Sequence, residues 1–190
     1  MNTVDTEATS PHVVWNIPNV ISMVRIVLIG VFFALLVAGH DAWALAALVL
    51  AGISDFFDGY LARRWNQTTP LGRLLDPAAD RLLTASVAVG LAVREMVPWW
   101  LVVVLLARDL MVGIALWRGY RAHLSAPLVS RAGKWATFLL YVFLPLAFLS
   151  FERWPEIHTW TIVGATIAAA VYWYAGIGYV REISQRLKSI

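Results

Sequence analysis

Long apolar segments dominate this chain and limit it to one class of fold. Hydrophobic residues make up 60% of its 190 residues and charged residues only 14%, whereas a soluble domain has about 25% charged residues. A helix of about 20 apolar residues is long enough to cross a lipid bilayer. The pattern predicts an all-α integral membrane protein with six transmembrane helices. The expected spans are Val20–Ala38, Ala42–Arg63, Leu71–Val93, a fourth that follows Pro98 and ends at Trp117, Lys134–Phe151 and Thr159–Val180.

The N-terminal region is polar and is expected to lie outside the spans. Residues 1–9 are predicted to be disordered, and residues 10–190 to form one membrane domain. Ser10 is a good helix cap and Pro11 suits a first helical position, so a short interfacial helix is expected before the first span. The first residues resemble neither a secretory signal nor an Arg-rich transit peptide, which favours a bacterial inner membrane.

Basic residues concentrate on one side of the predicted spans. Only Arg94 and Arg153 lie in the loops of the other side. Lys and Arg mark the cytoplasmic side of membrane proteins, so both termini and the loop after the second span are expected to face the cytoplasm. The residues on that side are Arg63, Arg64, Arg73, Arg118, Arg121, Arg131, Lys134, Arg181, Arg186 and Lys188.

Four aspartates lie on the predicted second and third spans: Asp55, Asp58, Asp76 and Asp80. A carboxylate on an apolar helix costs about 2.5–3.5 kcal/mol by insertion scales, so four stay ionised only beside concentrated positive charge. Their spacings put each pair on one helix face. If the two helices are antiparallel neighbours, the pairs face each other. Two divalent cations, Mg²⁺ or Mn²⁺, would balance the four charges and suit a displacement at phosphorus.

Small and basic residues surround the aspartates at helical spacing. Gly59, Ala62 and Gly72 would let a ligand approach the backbone closely. Arg63 lies one turn beyond Gly59 and can make forked hydrogen bonds to a phosphate. This surrounding favours a phosphate-bearing ligand beside the metal ions.

These residues together resemble a known family. The run Asp55-x2-Asp58-Gly59-x2-Ala62-Arg63-x8-Gly72-x3-Asp76-x3-Asp80 is similar to the signature of the CDP-alcohol phosphatidyltransferases at every fixed position. The start Asn16-Ile17-Pro18-Asn19, with Arg25, also resembles that family. The resemblance covers about residues 16–179. It implies a six-helix membrane enzyme, usually a homodimer, that moves a phosphatidyl group from CDP-diacylglycerol to an alcohol and releases CMP.

The resemblance also implies a role for each residue of the motif. The first three aspartates would bind the metal ions. Asp80 would touch a metal and act as general base on the acceptor hydroxyl. Gly59, Ala62 and Gly72 would line the cytidine site, and Arg63 would contact the pyrophosphate.

The acceptor alcohol is less strongly indicated. Ala107-Arg108-Asp109 resembles the cardiolipin synthase branch, which uses phosphatidylglycerol. Gly133-Lys134-Trp135-x-Thr137 resembles the phosphatidylglycerophosphate synthase branch, which uses glycerol 3-phosphate, except that Ala136 replaces a lysine. Phosphatidylglycerol is the favoured acceptor. Either acceptor carries a phosphate, and a basic cluster would dock it: Arg108, Arg118, Arg121, Arg131 and Lys134.

Other interpretations remain open at this point. The aspartates could form structural ion pairs with basic neighbours, and Arg108 could form a salt bridge with Asp109 as well as contact substrate. Intramembrane carboxylates also mark ion paths, so a divalent-cation transporter is an alternative, although it leaves the ordered Gly, Ala and Arg spacing unexplained. An inactive homologue acting as a scaffold is another. No nucleic-acid partner is expected. The basic neighbours in question are Arg63, Arg64, Arg73 and Arg81.

Overall fold

Six α-helices make up the part of the chain that the structure describes. The structure, a computed structural model, describes residues 17–65, 70–124 and 130–189, with their side chains except at residues 17–19, 22, 55–65 and 70–78. The helices are α1 (Ile17–Val37), α2 (Asp41–Trp65), α3 (Pro70–Val93), α4 (Trp99–Arg121), α5 (Arg131–Ser150) and α6 (Pro155–Lys188).

The observed helices confirm the predicted all-α membrane class. Within the described residues, α4, α5 and α6 are long and apolar enough to cross a membrane, and shorter apolar helical stretches cover Met23–Val37 and Asp41–Ser54. The count of six spans therefore stays a prediction. The predicted interfacial helix at Ser10–Trp15 and the predicted disorder of residues 1–9 lie outside the described residues.

The helix bounds differ most from prediction in α6. This helix has 34 residues and begins at Pro155, earlier than the predicted Thr159. Proline suits the first helical turn because its missing N–H is not needed there. At its other end α6 continues past the predicted Val180 to Lys188, since its last turns are polar but hold no helix-breaking residue.

The helices pack in two groups that α3 joins. Helix α1 contacts α2 and α3, helix α6 contacts α4 and α5, and α3 also contacts α4 and α5. The core face of α6 is rich in small residues, including the buried Ala165, Ala168 and Ala169. Small side chains let membrane helices approach closely, which is how such helices gain packing energy without a hydrophobic driving force between them.

Gly164 on α6 makes room for the Phe143 ring of α5. A Cβ at Gly164 would overlap the ring of Phe143 on α5. We expect Gly164→Ala to lower the free energy of unfolding by about 1–3 kcal/mol, as overpacking does. Gly113→Ala is the matched control because a Cβ there meets nothing within 4 Å. Thermal unfolding in detergent micelles measures both, and equal midpoints for the two variants would contradict this assignment.

The two ends of the bundle differ. At one end, Arg94 Nη1 donates to the Leu36 carbonyl at 2.7 Å and to Asp41 Oδ1 at 2.9 Å. These bonds join the connection after α3 to the turn between α1 and α2, where Gly39 has a φ of 82°, a value that favours glycine. We call this the opposite end. The other end, where α2 ends and α3 begins, we call the motif end.

Candidate active site

Asp80 is the motif aspartate whose side chain the structure describes. Its Oδ1 lies 3.7 Å from Nη1 of Arg25 on α1, and the two side chains are 48% and 0% exposed. A buried guanidinium is costly to desolvate unless a partner compensates its charge, and the Asp80 carboxylate is such a partner for Arg25. Half of the Asp80 side chain remains accessible to a ligand.

The other motif residues lie on the helices that the sequence predicts. Asp55 and Asp58 are in α2, and Asp76 is in α3 with Asp80. The side chains of these three aspartates, of Ala62 and of Arg63 are outside the part that the structure describes, as are the surroundings of Gly59 and Gly72. The meeting of the two aspartate pairs therefore stays a prediction. Helix α1 contacts both α2 and α3.

The metal prediction rests on the chemistry of its donors. Four carboxylates form an all-oxygen set, which suits Mg²⁺ or Mn²⁺. The side chains that the structure describes include no group of three or more potential metal ligands, and Asp80 is the one motif aspartate among them. The donor set fits a hard divalent cation.

A second charged cluster lies next to Asp80 along α3. Asp109 Oδ1 on α4 accepts from Arg81 Nη1 at 2.7 Å, from Arg108 Nη1 at 3.1 Å and from the Tyr172 hydroxyl at 2.6 Å. Tyr172 lies on α6, so the cluster joins α3, α4 and α6. We call Arg81, Arg108, Asp109 and Tyr172 the arginine cluster.

Arg108 is the most strongly held member of this cluster. Its side chain is 6% exposed, its Nε donates to the Tyr172 carbonyl at 3.2 Å, and its guanidinium carbon lies 3.7 Å from the centre of the Tyr172 ring. Stacking on an aromatic face and forked hydrogen bonding both favour arginine over lysine. These contacts hold the Arg108 guanidinium in one orientation, which suits a group that binds a ligand.

Gly176 makes room for Arg108 against α6. A Cβ at Gly176 would lie 2.8 Å from the Arg108 Nε and 3.3 Å from its Cγ. A side chain at this position would push the guanidinium away from the Tyr172 carbonyl. The absence of a side chain at Gly176 thus allows the hydrogen bond from Arg108 to the Tyr172 carbonyl.

A cavity of about 100 Å³ opens beside the arginine cluster, and we call it the inner cavity. Ser130 caps the start of α5 here, its Oγ accepting from the Gly133 N–H at 3.1 Å. Two guanidinium groups and one carboxylate leave one net positive charge in the cluster at its wall. Such a cavity suits a small anion. The lining residues are Arg81, Arg108, Val112, Leu116, Ser130, Gly133, Thr137, Tyr172, Ala175 and Tyr179.

The structure brings together only part of the predicted acceptor-binding cluster. Arg108 lines the inner cavity, whereas Arg118 lines a different cavity between α4 and α6. Arg121 lies over the Trp117 ring at 5.0 Å. Arg131 and Lys134 are exposed in the first turn of α5 and do not line the inner cavity. A role for these other basic residues in acceptor binding stays a prediction.

Sequence reasoning found part of this site. It named Arg81 only in an alternative, as a structural partner of the motif aspartates, but Arg81 pairs with Asp109. It foresaw the Arg108–Asp109 salt bridge, which is present at 3.1 Å. An ionisable residue inside a span is a functional candidate by default, but Arg25 and Asp109 were named without a role in the site. Tyr172 gave no such signal, because tyrosines are common in membrane helices.

Known proteins and one family profile are similar to this chain. A "Cardiolipin synthase (CMP-forming)" of Streptomyces coelicolor is 41% identical, covering 93% of this chain and 86% of the relative. A CDP-diacylglycerol–glycerol-3-phosphate 3-phosphatidyltransferase of Salmonella typhimurium is 37% identical, covering 63% of this chain and 69% of its own. The profile of the CDP-alcohol phosphatidyltransferase family matches residues 15–183. This chain therefore belongs to the CDP-alcohol phosphatidyltransferase family of membrane enzymes.

Proposed function

We propose that this enzyme is a cardiolipin synthase, which transfers the phosphatidyl group of CDP-diacylglycerol to phosphatidylglycerol and releases CMP. The long match to a relative named for that reaction supports the choice of acceptor. Relatives named for the alternative reaction are less similar: one is 37% identical over 63% of this chain, and a probable phosphatidylglycerophosphate synthase of Mycobacterium tuberculosis is 32% identical over 87%. None of these relatives is named for transport, which argues against the divalent-cation transporter.

The observation that carries this proposal is the net charge of the arginine cluster. One surplus positive charge beside the inner cavity matches a phosphodiester, which carries one negative charge. A phosphate monoester such as glycerol 3-phosphate carries about −1.5 to −2 at pH 7 and would remain undercompensated. The cluster therefore favours phosphatidylglycerol over glycerol 3-phosphate.

The position of Asp80 fits the role of general base. Asp80 and Arg81 are consecutive on α3, so their Cα atoms are about 3.8 Å apart. Their side chains leave the same turn of α3 about 100° apart. We propose that an acceptor whose phosphate is held by Arg81 and Arg108 spans this angle with its glycerol carbons, which would bring its hydroxyl to the accessible half of Asp80. Asp80 would take the hydroxyl proton as that oxygen attacks the phosphatidyl phosphorus. The bond from this phosphorus to the oxygen bridging it to CMP breaks, and CMP leaves.

The donor side of the reaction rests on the motif residues. Asp55, Asp58, Asp76 and Asp80 would hold two divalent cations, Mg²⁺ or Mn²⁺, which when bound neutralise charge on the pyrophosphate. Members of this family generally depend on such cations. Gly59, Ala62 and Gly72 would leave room for the cytidine, and Arg63 would orient the pyrophosphate by forked hydrogen bonds.

The cellular setting is proposed from the charge distribution. The excess of Lys and Arg at the motif end favours a cytoplasmic position for that end and for both termini. CMP would then leave into the cytoplasm of a bacterium, whose inner membrane would hold the enzyme. A homodimer is proposed from the family resemblance.

Replacing Arg108 tests the acceptor site. Arg108→Met should raise the KM for phosphatidylglycerol by about tenfold, the effect of losing about 1.4 kcal/mol of binding, and should leave the KM for CDP-diacylglycerol unchanged. Asp109 keeps Arg81 and Tyr172 as partners, so the fold should tolerate the change. Arg153→Met, at the opposite end, is the matched control. CMP release in mixed micelles measures both variants.

Offering each acceptor separately decides between the two reactions. Phosphatidylglycerol should support CMP release and yield cardiolipin in the presence of Mg²⁺ or Mn²⁺. Release with glycerol 3-phosphate alone would keep the family and Asp80 but overturn the proposed acceptor. An unchanged KM for phosphatidylglycerol in Arg108→Met would remove the arginine cluster from the acceptor site.

A further inference from the structure

A larger cavity adjoins the inner cavity between α5 and α6. It has a volume of about 480 Å³, and we call it the outer cavity. The two cavities share Ser130, Ala175 and Tyr179 as lining residues. The inner cavity, beside the arginine cluster, and the outer cavity, a groove on the side of the bundle, are therefore neighbours, with Tyr179 at their boundary.

One face of α6 forms most of the outer cavity. Tyr174, Gly178 and Glu182 recur at intervals of four residues, so they lie on the same side of the helix. Tyr174 is 75% exposed and Ile177 is 40% exposed. We infer that these exposed aromatic and aliphatic side chains face lipid, as apolar side chains on the outside of a membrane helix do.

The character of the groove changes along the helix axis. Its lining runs from Tyr174 to Glu182, about 12 Å at the rise of an α-helix. The Tyr174 end is aromatic and aliphatic, and the other end carries Arg181 and Glu182. A phospholipid standing in the membrane has the same order, with acyl chains at one level and a polar headgroup at the next.

We propose that the acceptor reaches the inner cavity sideways from the bilayer, through the outer cavity, and is therefore a diacyl lipid with a phosphodiester headgroup. This inference rests on the proposed function and adds the route and the lipid character of the acceptor. The headgroup passes Tyr179 to meet Arg81 and Arg108, while the acyl chains stay against Tyr174 and Ile177. A water-soluble acceptor would gain nothing from an apolar groove that opens to lipid.

Narrowing the groove at Gly178 tests the route. A Cβ at Gly178 meets nothing within 4 Å, so Gly178→Phe places its ring in open space and should fold. Gly113→Phe is the matched control, because a Cβ at Gly113 also meets nothing within 4 Å and Gly113 lines neither cavity. Rates of CMP release are measured against dioleoyl phosphatidylglycerol and against the water-soluble dihexanoyl form.

The expected result separates the two acceptors by chain length. Gly178→Phe should raise the KM for the dioleoyl lipid by about tenfold and that for the dihexanoyl lipid by less than about twofold. The KM for CDP-diacylglycerol should not change. An unchanged KM for the dioleoyl lipid, an equal rise for both lengths, or a rise for CDP-diacylglycerol would overturn the proposed route. If the unmodified enzyme makes no cardiolipin from phosphatidylglycerol, the proposed function itself fails.

Photocrosslinking gives a readout that needs no turnover. Phosphatidylglycerol with a diazirine in one acyl chain, offered without CDP-diacylglycerol, should label the α6 segment 174–178. Gly178→Phe should reduce that labelling and Gly113→Phe should not. Labelling spread evenly over the helices, or no labelling of residues 174–178, would contradict the assignment.

Discussion

Asp80→Asn should lower the rate of CMP release by about a hundredfold to ten-thousandfold, the range over which a general base contributes to a rate. The amide has nearly the shape of the carboxylate but cannot take a proton from the acceptor hydroxyl. Nucleotide binding should be largely spared, because the change removes one of four proposed metal ligands and leaves Asp55, Asp58 and Asp76. Loss of turnover with retained binding identifies a base.

The control for this variant is Asp41→Asn. Asp41 also pairs with an arginine, Arg94, but at the opposite end of the bundle, so its loss should leave the rate unchanged. CMP release and the binding of CDP in the presence of Mn²⁺ should be measured for both variants. A rate for Asp80→Asn close to that of the unmodified enzyme at every pH would rule out Asp80 as the base.

Asp109→Leu should lower the free energy of unfolding by about 3–5 kcal/mol, the cost of removing one partner from a buried ion pair. Asp109 Oδ1 accepts from three donors. Without it, the guanidinium groups of Arg81 and Arg108 face each other with no carboxylate between them. The cost comes mainly from Arg108, which is only 6% exposed and cannot be hydrated in place of its lost partner, whereas Arg81 is 48% exposed and stays hydrated.

Asp41→Leu is the matched control for stability. The Asp41–Arg94 pair lies at 2.9 Å, but its side chains are 49% and 28% exposed, and exposed pairs contribute about 0–1 kcal/mol. Thermal unfolding in one detergent should therefore separate the two variants clearly. A second variant, Asp109→Leu with Arg108→Met, should recover part of the loss because it removes one unpaired charge. Equal effects of Asp109→Leu and Asp41→Leu would contradict the arrangement of the cluster.

Much of this fold could be predicted because its signals are local. The apolar runs predicted an end of the fourth span at Trp117 and a start of the fifth at Lys134, close to the observed Arg121 and Arg131. The length of α6 was underestimated, since a helix can continue beyond its apolar run into water when its backbone hydrogen bonds stay intact. The positions of Asp55, Asp58, Asp76 and Asp80 on α2 and α3 also follow from the sequence.

Helix neighbours could not be predicted from the same pattern. On α4, the buried Leu101 and Leu105 and the exposed Val103 and Leu110 are all apolar. In a soluble protein the exposed face would be polar and would reveal the orientation of the helix. Lipid tails are as apolar as leucine, so the composition of a face does not say whether it meets lipid or another helix.

The sequence by itself determined the membrane class, the helices and the motif that carries the family chemistry. Tertiary structure alone decided that Arg81 and Tyr172 meet Asp109, across 28 and 63 residues of chain, and that Arg25 lies against Asp80. It also separated Arg118 and Lys134 from the inner cavity, although the sequence grouped them with Arg108. The physical reason is that spacing along a helix fixes which residues share a face, whereas the packing of helices decides what each face meets.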